Sequence, residues 1–277
     1  MNVKPYGLLC PISRASQLLE PRWTIPILTE IWAGATRFNT LRRRLGSISP
    51  GVLSWRLSEM EHNGLVERVE DKATGAVDYI RTPKSEALEP VIKALGVWAQ
   101  QNIEAEVALA GTLASPMMWK CQSVLQVDAL PDKRSVIRFH FRDEPTDYDT
   151  FWFLAQRGTP PELCVHDPDL DVDLYVETTL VAMGGIIMGR TTLAKETELG
   201  SFFLSGDPRL ARTFQNWLPP APYAKVPDIL PLRLDEQTGR SLSAQHLGGL
   251  GSLQSFAVAR NNERLADEVH LCAFSFR

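Results

Sequence analysis

The stretch that decides the fold, residues 37–82, reads RFNTLRRRLGSISPGVLSWRLSEMEHNGLVERVEDKATGAVDYIRT. It contains two short helical patterns, followed by two runs that alternate apolar and polar residues on either side of a glycine-containing turn. This order is that of a winged helix-turn-helix, whose second helix enters the major groove of DNA. The leading hypothesis for the partner is therefore double-stranded DNA.

Capping residues set the ends of the two helices. Asn39 is predicted to cap the first helix and Gly46 to end it. Ser49 is suited to cap the second helix, because its hydroxyl accepts from a first-turn amide, and Pro50 loses nothing at the first helical position. The recognition helix is therefore predicted over residues 50–61.

The second helix has two contrasting faces. Its apolar residues share one face at helical spacing: Leu53, Leu57 and Met60. The opposite face carries small or hydrogen-bonding residues and one tryptophan, which suits the edges of bases: Gly51, Ser54, Trp55 and Ser58. Arg56, at the flank of this face, is predicted to contact phosphate.

Basic residues cluster around the two helices: Arg37, Arg42, Arg43, Arg44 and Arg56. Beside a helix-turn-helix such a cluster favours phosphate binding. We expect further contacts from Thr40 and Ser49, and from Lys72 and Thr74 in the hairpin turn. In a small α+β module without a ligand the same arginines would form a solvated face, which is the simpler interpretation of a charge run.

Charge is distributed unevenly along the chain, whose net charge is −4. Residues 1–101 contain 13 Lys and Arg against 10 Asp and Glu, whereas the remaining residues contain 16 against 23. An acidic surface is repelled by a polyanion. The first part of the chain is therefore the expected DNA reader, and the second part has another task.

Length and composition limit the class of protein. A chain of 277 residues with 44% hydrophobic residues is long enough for two globular domains. With no signal peptide and no apolar run of 18 residues, we expect a cytoplasmic protein without membrane association. Its four cysteines are far apart, so reduced thiols are expected, with neither a metal site nor a cofactor.

Helical patterns flank the decisive stretch. Residues 11–20 and 24–33 are predicted to be helices that contribute to the core, including Ile12 in the first. A long amphipathic helix is predicted over residues 82–110. Its apolar stripe needs a partner, and a second copy of the chain provides one. We therefore predict a homodimer, with residues 111–116 as a linker.

The second half predicts a sheet covered by helices, so the whole chain is of the α+β class. Strands are predicted over residues 121–130, 136–142, 150–155, 163–165 and 201–205, as an antiparallel meander with a later strand. Asp173 is expected to cap an apolar helix over residues 174–188, and a last helix covers residues 209–218. Four residues of the apolar helix are candidates to line a hydrophobic ligand pocket, although plain core is the more common role: Leu180, Met183, Ile187 and Met188.

An enzyme or a lipid carrier, with the second half as the functional unit, is the alternative class. His140, His166 and Asp167 offer an imidazole and a carboxylate for proton transfer. The sequence contains no Gly-x-Ser-x-Gly, no His-Glu-x-x-His and no phosphate-binding glycine loop. We therefore predict no enzymatic activity.

Several short segments follow one pattern: CPI at residues 10–12, RWT at 22–24, RFNTLR at 37–42, ISP at 48–50, LSWRL at 53–57, NGLV at 63–66 and LGVW at 95–98. In combination they resemble the winged-helix regulators of the HxlR family. The resemblance implies a DNA-binding homodimer with its interface formed by terminal helices, and we expect a repressor on a pseudo-palindromic operator. Family members often have polar or charged residues where Gly51 and Trp55 stand. Trp55 either packs on thymine methyl groups or covers the edge of the domain.

Cys10 opens the first of these segments. In some members of the resembled family this cysteine senses oxidants or electrophiles, and a position near a helix start favours the thiolate. The alternative is a small buried hydrophobic residue. Redox sensing by Cys10 is therefore a hypothesis that depends on the exposure of its thiol.

The second half is similar to sterol-carrier-type lipid-binding domains in its strand-rich start, its apolar helix and the segment FLSGDP at residues 203–208. This similarity implies a pocket for a hydrophobic effector; a ligand-free interaction domain is the alternative. We therefore expect a winged-helix and dimerisation domain over residues 1–110, an effector domain over residues 117–218, and a mostly irregular tail over residues 219–277.

Overall fold

The computed structural model describes residues 6–145 and 148–233. The chain divides between Ala94 and Leu95 into two compact units. This boundary lies N-terminal to the one expected near residue 110, and it falls within a helix. The apolar runs at residues 253–259 and 269–276 of the predicted tail lie outside the described residues.

The N-terminal unit is a helical domain with a two-stranded hairpin. Its elements are α1 (Pro11–Leu19), α2 (Thr24–Trp32), α3 (Phe38–Leu45), α4 (Pro50–His62), β1 (Val66–Glu70), β2 (Val77–Arg81), α5 (Pro83–Glu86) and the start of α6 (Glu89–Asn102). The hairpin is antiparallel, and an isolated bridge joins Arg37 to Asp78 beside it. Residues from α2, α3 and α4 form the core, including Ile27, Leu41 and Leu53, all fully buried.

Two expectations for this unit are wrong. The side chain of Asn39 does not cap α3, because the helix already begins at Phe38 and the amide of Leu41 donates directly to the carbonyl oxygen of Arg37 at 2.9 Å. No residue of α1 is buried, and Ile12 is 76% exposed. Leu18 packs against the core of this unit from outside, whereas Ile12 at the other end of α1 is exposed.

The long helix expected over residues 82–110 is three separate helices. Thr82 is the N-cap of α5 and forms a capping box with Ser85. Helix α5 ends after one turn. Pro90 has no amide to continue α5, and it is accommodated in the first turn of α6. Glu104 has a non-helical backbone conformation, with ψ at 140°, and it separates α6 from α7 (Ala105–Leu109).

The C-terminal unit contains a five-stranded mixed sheet. After α7 follow α8 (Ala114–Val124), β3 (Ser135–Phe141), β4 (Thr150–Gln156), β5 (Thr159–Cys164), β6 (Leu174–Thr178), α9 (Leu180–Met188), α10 (Leu193–Glu198), β7 (Phe202–Gly206), α11 (Pro208–Arg212) and α12 (Phe214–Trp217). The strand order is β5-β4-β3-β6-β7. Strand β6 pairs parallel with β3, and the other neighbours are antiparallel. The expected meander is therefore correct only for β3 to β5.

Two segments of this unit differ in type from the expectation. Residues 121–130, expected to be a strand, form the end of α8 and a 3₁₀ turn, since a short apolar run does not by itself distinguish a buried helix from a strand. Residues 174–178, expected to begin the apolar helix, are strand β6. The helix α9 begins six residues later than expected, because its N-cap is Thr179 and not Asp173.

A buried arginine joins distant parts of the C-terminal unit. Arg190 follows α9 and is 3% exposed. Its Nε donates to Gln100 Oε1 at 2.9 Å, and its Nη1 donates to the carbonyl oxygens of Ile103 at 2.9 Å and Leu230 at 3.1 Å. Its Nη2 donates to the carbonyl oxygen of Ala99 at 3.3 Å. The C-terminal end of α6 and the segment before Arg233 are therefore both attached to the end of α9.

The described part of the predicted tail, residues 219–233, packs against this unit. It contains a 3₁₀ turn, Pro222–Lys225, and Leu232 is 2% exposed. The amide of Arg233 donates to Glu106 Oε1 at 2.9 Å, and its guanidinium lies 3.2 Å from Glu104 Oε2. Residues 219–233 are therefore anchored to this unit by buried contacts.

Candidate nucleic-acid interface

The turn between α3 and α4 follows the predicted capping pattern. Gly46 ends α3 with φ at 65°, a conformation that favours glycine. The hydroxyl of Ser49 accepts from the amide of Val52 at 3.3 Å, and Pro50 opens α4. The recognition helix is therefore where the sequence predicts it, with its end one residue later, at His62.

The C-terminal end of α4 is fixed by side chains from the α5 region. Gly64 follows the helix with φ at 68°. The hydroxyl of Thr82 donates to the carbonyl oxygen of Gly64 at 2.8 Å, and Lys84 Nζ donates to that of Asn63 at 2.7 Å. A lysine at the C-terminus of a helix also interacts favourably with the helix dipole. Both ends of α4 are therefore held by hydrogen bonds.

Helix α4 buries one face and exposes the other. Leu53 and Leu57 are fully buried, and Met60 is 2% exposed. The four residues predicted to approach bases are all exposed: Gly51, Ser54, Trp55 and Ser58. Val52, which the prediction omitted, is also exposed beside them. The structure therefore brings these candidates together on one surface of a single helix.

The structure does not support the predicted contact of Arg56 with a phosphate. Its side chain is 8% exposed and forms an ion pair with Glu59, and its guanidinium lies over the ring of Trp55 at 4.5 Å from the centroid. A buried and paired guanidinium is not available to a phosphate. The sequence contains a signal for this pairing, since oppositely charged residues at i and i+3 are neighbours on a helix surface.

The arginines of α3 have different environments. Arg43 is exposed and Arg42 is half-buried, as is Thr40. Arg44 Nη1 lies 3.4 Å from Glu30 Oε2 and donates to the carbonyl oxygen of Ala33 at 3.3 Å. Among these arginines, Arg43 is therefore the most accessible to a phosphate.

The hairpin presents a short ordered turn. Asp71 Oδ1 accepts from the amide of Ala73 at 2.8 Å, and Thr74 Oγ1 donates to Asp71 Oδ2 at 2.9 Å. These bonds, the backbone bond to Ala73 above all, hold the pKa of Asp71 below its usual range. Lys72 and Thr74 are both exposed in this turn. Arg37, half exposed, forms an ion pair with Asp78 on β2 at 2.7 Å.

The candidate pocket residues of α9 lie in different environments. Leu180 and Met183 are buried in the main core of the C-terminal unit, and Ile187 packs against it. Met188 is 37% exposed. The two buried residues therefore have the role of plain core residues, and a hydrophobic effector stays a prediction.

Of the residues named for the alternative enzyme class, His140 lies beside two carboxylates that the sequence analysis did not name, Asp149 and Glu177. His140 Nε2 lies 3.3 Å from Asp149 Oδ2, and its Nδ1 lies 3.6 Å from Glu177 Oε1. His166 and Asp167 are exposed in the loop after β5. Across the described ranges, no group of three His, Cys, Asp or Glu residues suited to a metal ion is present.

Cys10 lies at the start of α1 and is partly exposed. Hydrogen bonds from the backbone amides of Ser13 and, to a smaller degree, Ile12 hold the pKa of its thiol below the ordinary value. Cys121 differs, because complete burial raises the pKa of its thiol to about 12. The two thiols are therefore in opposite chemical environments.

Comparisons with known proteins match the N-terminal part of the chain. A profile of the HxlR-like helix-turn-helix family matches residues 18–107. YvaP, an uncharacterized HTH-type transcriptional regulator of Bacillus subtilis (strain 168), is 33% identical over 98 residues, which are 35% of this chain and 91% of YvaP. The chain belongs to the HxlR family. The winged helix-turn-helix, the α+β class and DNA binding are thereby confirmed.

A second HxlR relative, the HTH-type transcriptional regulator YodB of the same organism, is 35% identical over 98 residues, which are 35% of this chain and 88% of YodB. The crystal structure of quinone-bound YodB is 33% identical and covers 34% of this chain and 99% of that chain, with a TM-score of 0.30. These relatives are transcriptional regulators. None of the described helices is long and apolar enough to cross a membrane.

Proposed function

We propose that this DNA-binding regulator is a homodimeric repressor that places two copies of α4 in successive major grooves of a pseudo-palindromic operator. The observation that supports DNA contact most directly is the exposed face of α4, held at both ends by hydrogen bonds. In dimers of this kind the half-sites lie one helical turn apart, about 34 Å. Repression follows where such a site overlaps a promoter.

An exposed apolar stripe on α6 supports the homodimer. Val91 is 60% exposed, Leu95 50% and Trp98 54%, and the three residues recur at the spacing of one helix face. Side chains this large and apolar, grouped on one helix, mark an interaction site. A second copy of the same stripe is a complementary partner with two-fold symmetry.

The homodimer is tested by sedimentation velocity of the full-length protein at micromolar concentration. We expect a dimer for the wild type and a monomer for Leu95→Glu, because the substitution places two carboxylates at the interface. Tyr175→Glu, at a 41% exposed aromatic residue of β6, is the control and should stay dimeric. A monomeric wild type at these concentrations would contradict the proposal.

DNA contact and repression are tested with the region upstream of the protein's own gene. We expect a footprint of two protected half-sites and lower expression of a reporter placed behind that region. Arg43→Ala should weaken binding to all sequences and reduce the salt slope by about 1, since it removes one phosphate contact. Arg209→Ala, an exposed arginine in α11, should leave the slope unchanged. An unchanged slope in Arg43→Ala would remove Arg43 from the interface.

We also propose that modification of Cys10 releases the regulator from DNA. The partial exposure of this thiol and its lowered pKa support the proposal, because the thiolate is the reactive form. The relative YodB has been crystallised in a quinone-bound form. The proposal includes quinones among the electrophiles that modify Cys10.

The thiol proposal is tested by peptide mapping after brief alkylation at pH 7.5, and by quinone treatment of the DNA complex. Cys10 should react well before Cys121, whose raised pKa keeps it protonated. Quinone should dissociate the wild-type complex but not that of Cys10→Ser. If both proteins release DNA equally, Cys10 is not the sensor.

A further inference from the structure

The exposed face of α4 has an unusual chemical composition for a recognition helix. The helix sequence PGVLSWRLSEMEH contains no lysine, asparagine or glutamine. Its one arginine, Arg56, is buried and paired with Glu59. The side chains that usually read guanine and adenine by paired hydrogen bonds are therefore absent from this face.

Apolar contact takes the place of those hydrogen bonds. Trp55 is 46% exposed and Val52 41%, and both lie in the N-terminal half of α4, the part of a recognition helix that contacts bases. Gly51 lies one turn before Trp55 and has no neighbour within 4 Å of an added Cβ, so the backbone can approach a base pair closely. The acidic Glu61, which is able to accept from cytosine, lies in the last turn.

We infer that Trp55, with Val52 beside it, reads the methyl groups of thymine, so that the operator half-site has thymines under the first two turns of α4. Thymine is distinguished in the major groove by its 5-methyl group, which apolar side chains recognise by contact. The inference rests on the DNA-binding function and adds to it the class of sequence that α4 selects. Ser54 and Ser58 accept or donate to any base and add little discrimination.

Arg56 is a positioning residue for Trp55. Its guanidinium lies over the indole at 4.5 Å from the ring centroid, and its Nη1 donates to Glu59 Oε2. A cation over an aromatic face is attractive, and here the pair is partly removed from water. The indole is therefore oriented before DNA binds, which lowers the entropic cost of ordering it in the complex.

The experiment begins with selection of the full-length wild type against a pool of duplexes with 30 randomised base pairs. In the best selected duplex each thymine is then replaced, one at a time, by deoxyuridine, which removes only the methyl group. We expect about a four-fold loss of affinity at each thymine under α4, the value for removing one buried methylene-sized group from an apolar contact. Thymines elsewhere in the duplex should be insensitive.

Variants assign the effect to its residues. In Trp55→Ala the deoxyuridine penalty should disappear at the position that Trp55 contacts, whereas Trp55→Phe should keep part of it. Tyr175→Ala is the matched control, because Tyr175 is an exposed aromatic residue with an arginine, Arg138, over its ring at 5.9 Å. In Tyr175→Ala the loss of affinity caused by deoxyuridine at each position should equal that of the wild type.

Arg56→Met tests the positioning role. It should reduce the discrimination between thymine and deoxyuridine while leaving the salt slope unchanged, and Arg56→Lys should restore part of the discrimination. A phosphate contact would instead lower the slope by about 1 at equal discrimination. That result would overturn the positioning role.

The outcomes separate this inference from the function on which it rests. Failure of the wild type to enrich any duplex contradicts sequence-specific DNA binding itself. Enrichment of duplexes whose deoxyuridine substitution has no effect leaves DNA binding intact and overturns the inference. A penalty that persists unchanged in Trp55→Ala overturns the assignment to Trp55. The scan on the wild type does not depend on the folding of any variant.

Discussion

Helices α4 and α9 have the same type of N-cap but serve different roles. Ser49 and Thr179 cap them by accepting from an amide three residues later. Helix α4 then keeps one face exposed, with Trp55 at its centre, whereas α9 is buried on most sides, including Ala182, Gly184 and Gly185. A helix that serves the core is apolar around most of its circumference, and one that serves a partner keeps a face in solvent. Substitutions should therefore affect folding in α9 and recognition in α4.

The largest expected effect is at the buried end of α9. Arg190→Met removes the donor that serves Gln100 Oε1 and the backbone carbonyls of Ala99, Ile103 and Leu230. A buried acceptor left without its donor costs about 1–3 kcal/mol, and several acceptors lose their donor here. We expect this loss in the free energy of unfolding of the C-terminal unit, measured by urea denaturation. Arg209→Met, at an exposed arginine, should change it by less than about 0.5 kcal/mol. Equal stabilities would show that the α9 end is not a critical junction.

A core truncation in α9 should be nearly as costly. Met183 is fully buried beneath the sheet, so Met183→Ala leaves a cavity, and we expect a loss of about 3 kcal/mol. The matched substitution in α4 is Ser58→Ala, which should change stability by less than about 0.5 kcal/mol. Thermal and urea unfolding of both variants measure the difference. A small effect of Met183→Ala would indicate that α9 is loosely packed and would strengthen the case for an effector pocket.

The two N-caps should make moderate but unequal contributions to stability. Loss of a Ser or Thr N-cap costs about 1 kcal/mol. At α9, however, Asp143 also accepts from the amide of Leu180, with both carboxylate oxygens within 3.1 Å. We therefore expect a larger loss for Ser49→Ala than for Thr179→Ala. The measurement is native-state hydrogen exchange of first-turn amides in each helix. The opposite order would indicate that Asp143 does not share the capping role.

The smallest effects should have opposite signs in the two helices. Gly51→Ala adds a methyl group in open space and should stabilise α4 by about 0.5–1 kcal/mol, because alanine is the better helix former. Gly185→Ala gains the same propensity, but its Cβ would lie 2.9 Å from Thr191 Cγ2. Threonine is stiff at χ1 and yields little, so a net loss of about 1 kcal/mol is expected. The melting temperatures of the two variants, each compared with the wild type, measure these changes. Changes of the same sign in both variants would contradict the contrast between the two helices.

The sequence predicts α4 well because its signals are local. Gly46, Ser49 and Pro50 each act within one turn of the helix end, so the boundary follows without knowledge of the rest of the chain. The predictions for the segments that form β6 and α8 are wrong for the opposite reason. The apolar runs of these two segments satisfy both helical and strand patterns. For β6 the type is decided by its parallel pairing with β3, which joins Ile137 to Leu174, 37 residues apart in sequence.

The sequence predicts where the candidate interface lies, but it does not predict which side chains of α4 pair with each other. Periodicity places Ser54, Trp55 and Ser58 on the exposed face of α4. It does not show that Arg56 turns back toward Glu59 and the indole, because the rotamer depends on contacts that form only in the folded chain. The pattern also assigns the apolar residues of α1 to the core, but none of them is fully buried: Leu18 packs against the core and Ile12 is exposed.

The Arg190 junction has a consequence for the order in which the protein is completed during synthesis. The carbonyls at the end of α6 receive their donor only when Arg190 has been made, and the partner carbonyl at Leu230 follows 40 residues later. Glu106 receives its hydrogen-bond donor later still, because Arg233 lies 127 residues further along the chain. A ribosome-bound chain with a finished α4 therefore still lacks the bonds that fix the end of α6. A premature stop between residues 190 and 230 would keep the Arg190 donor but would remove two of the later partners, the Leu230 carbonyl that accepts from Arg190 and the Arg233 amide that donates to Glu106.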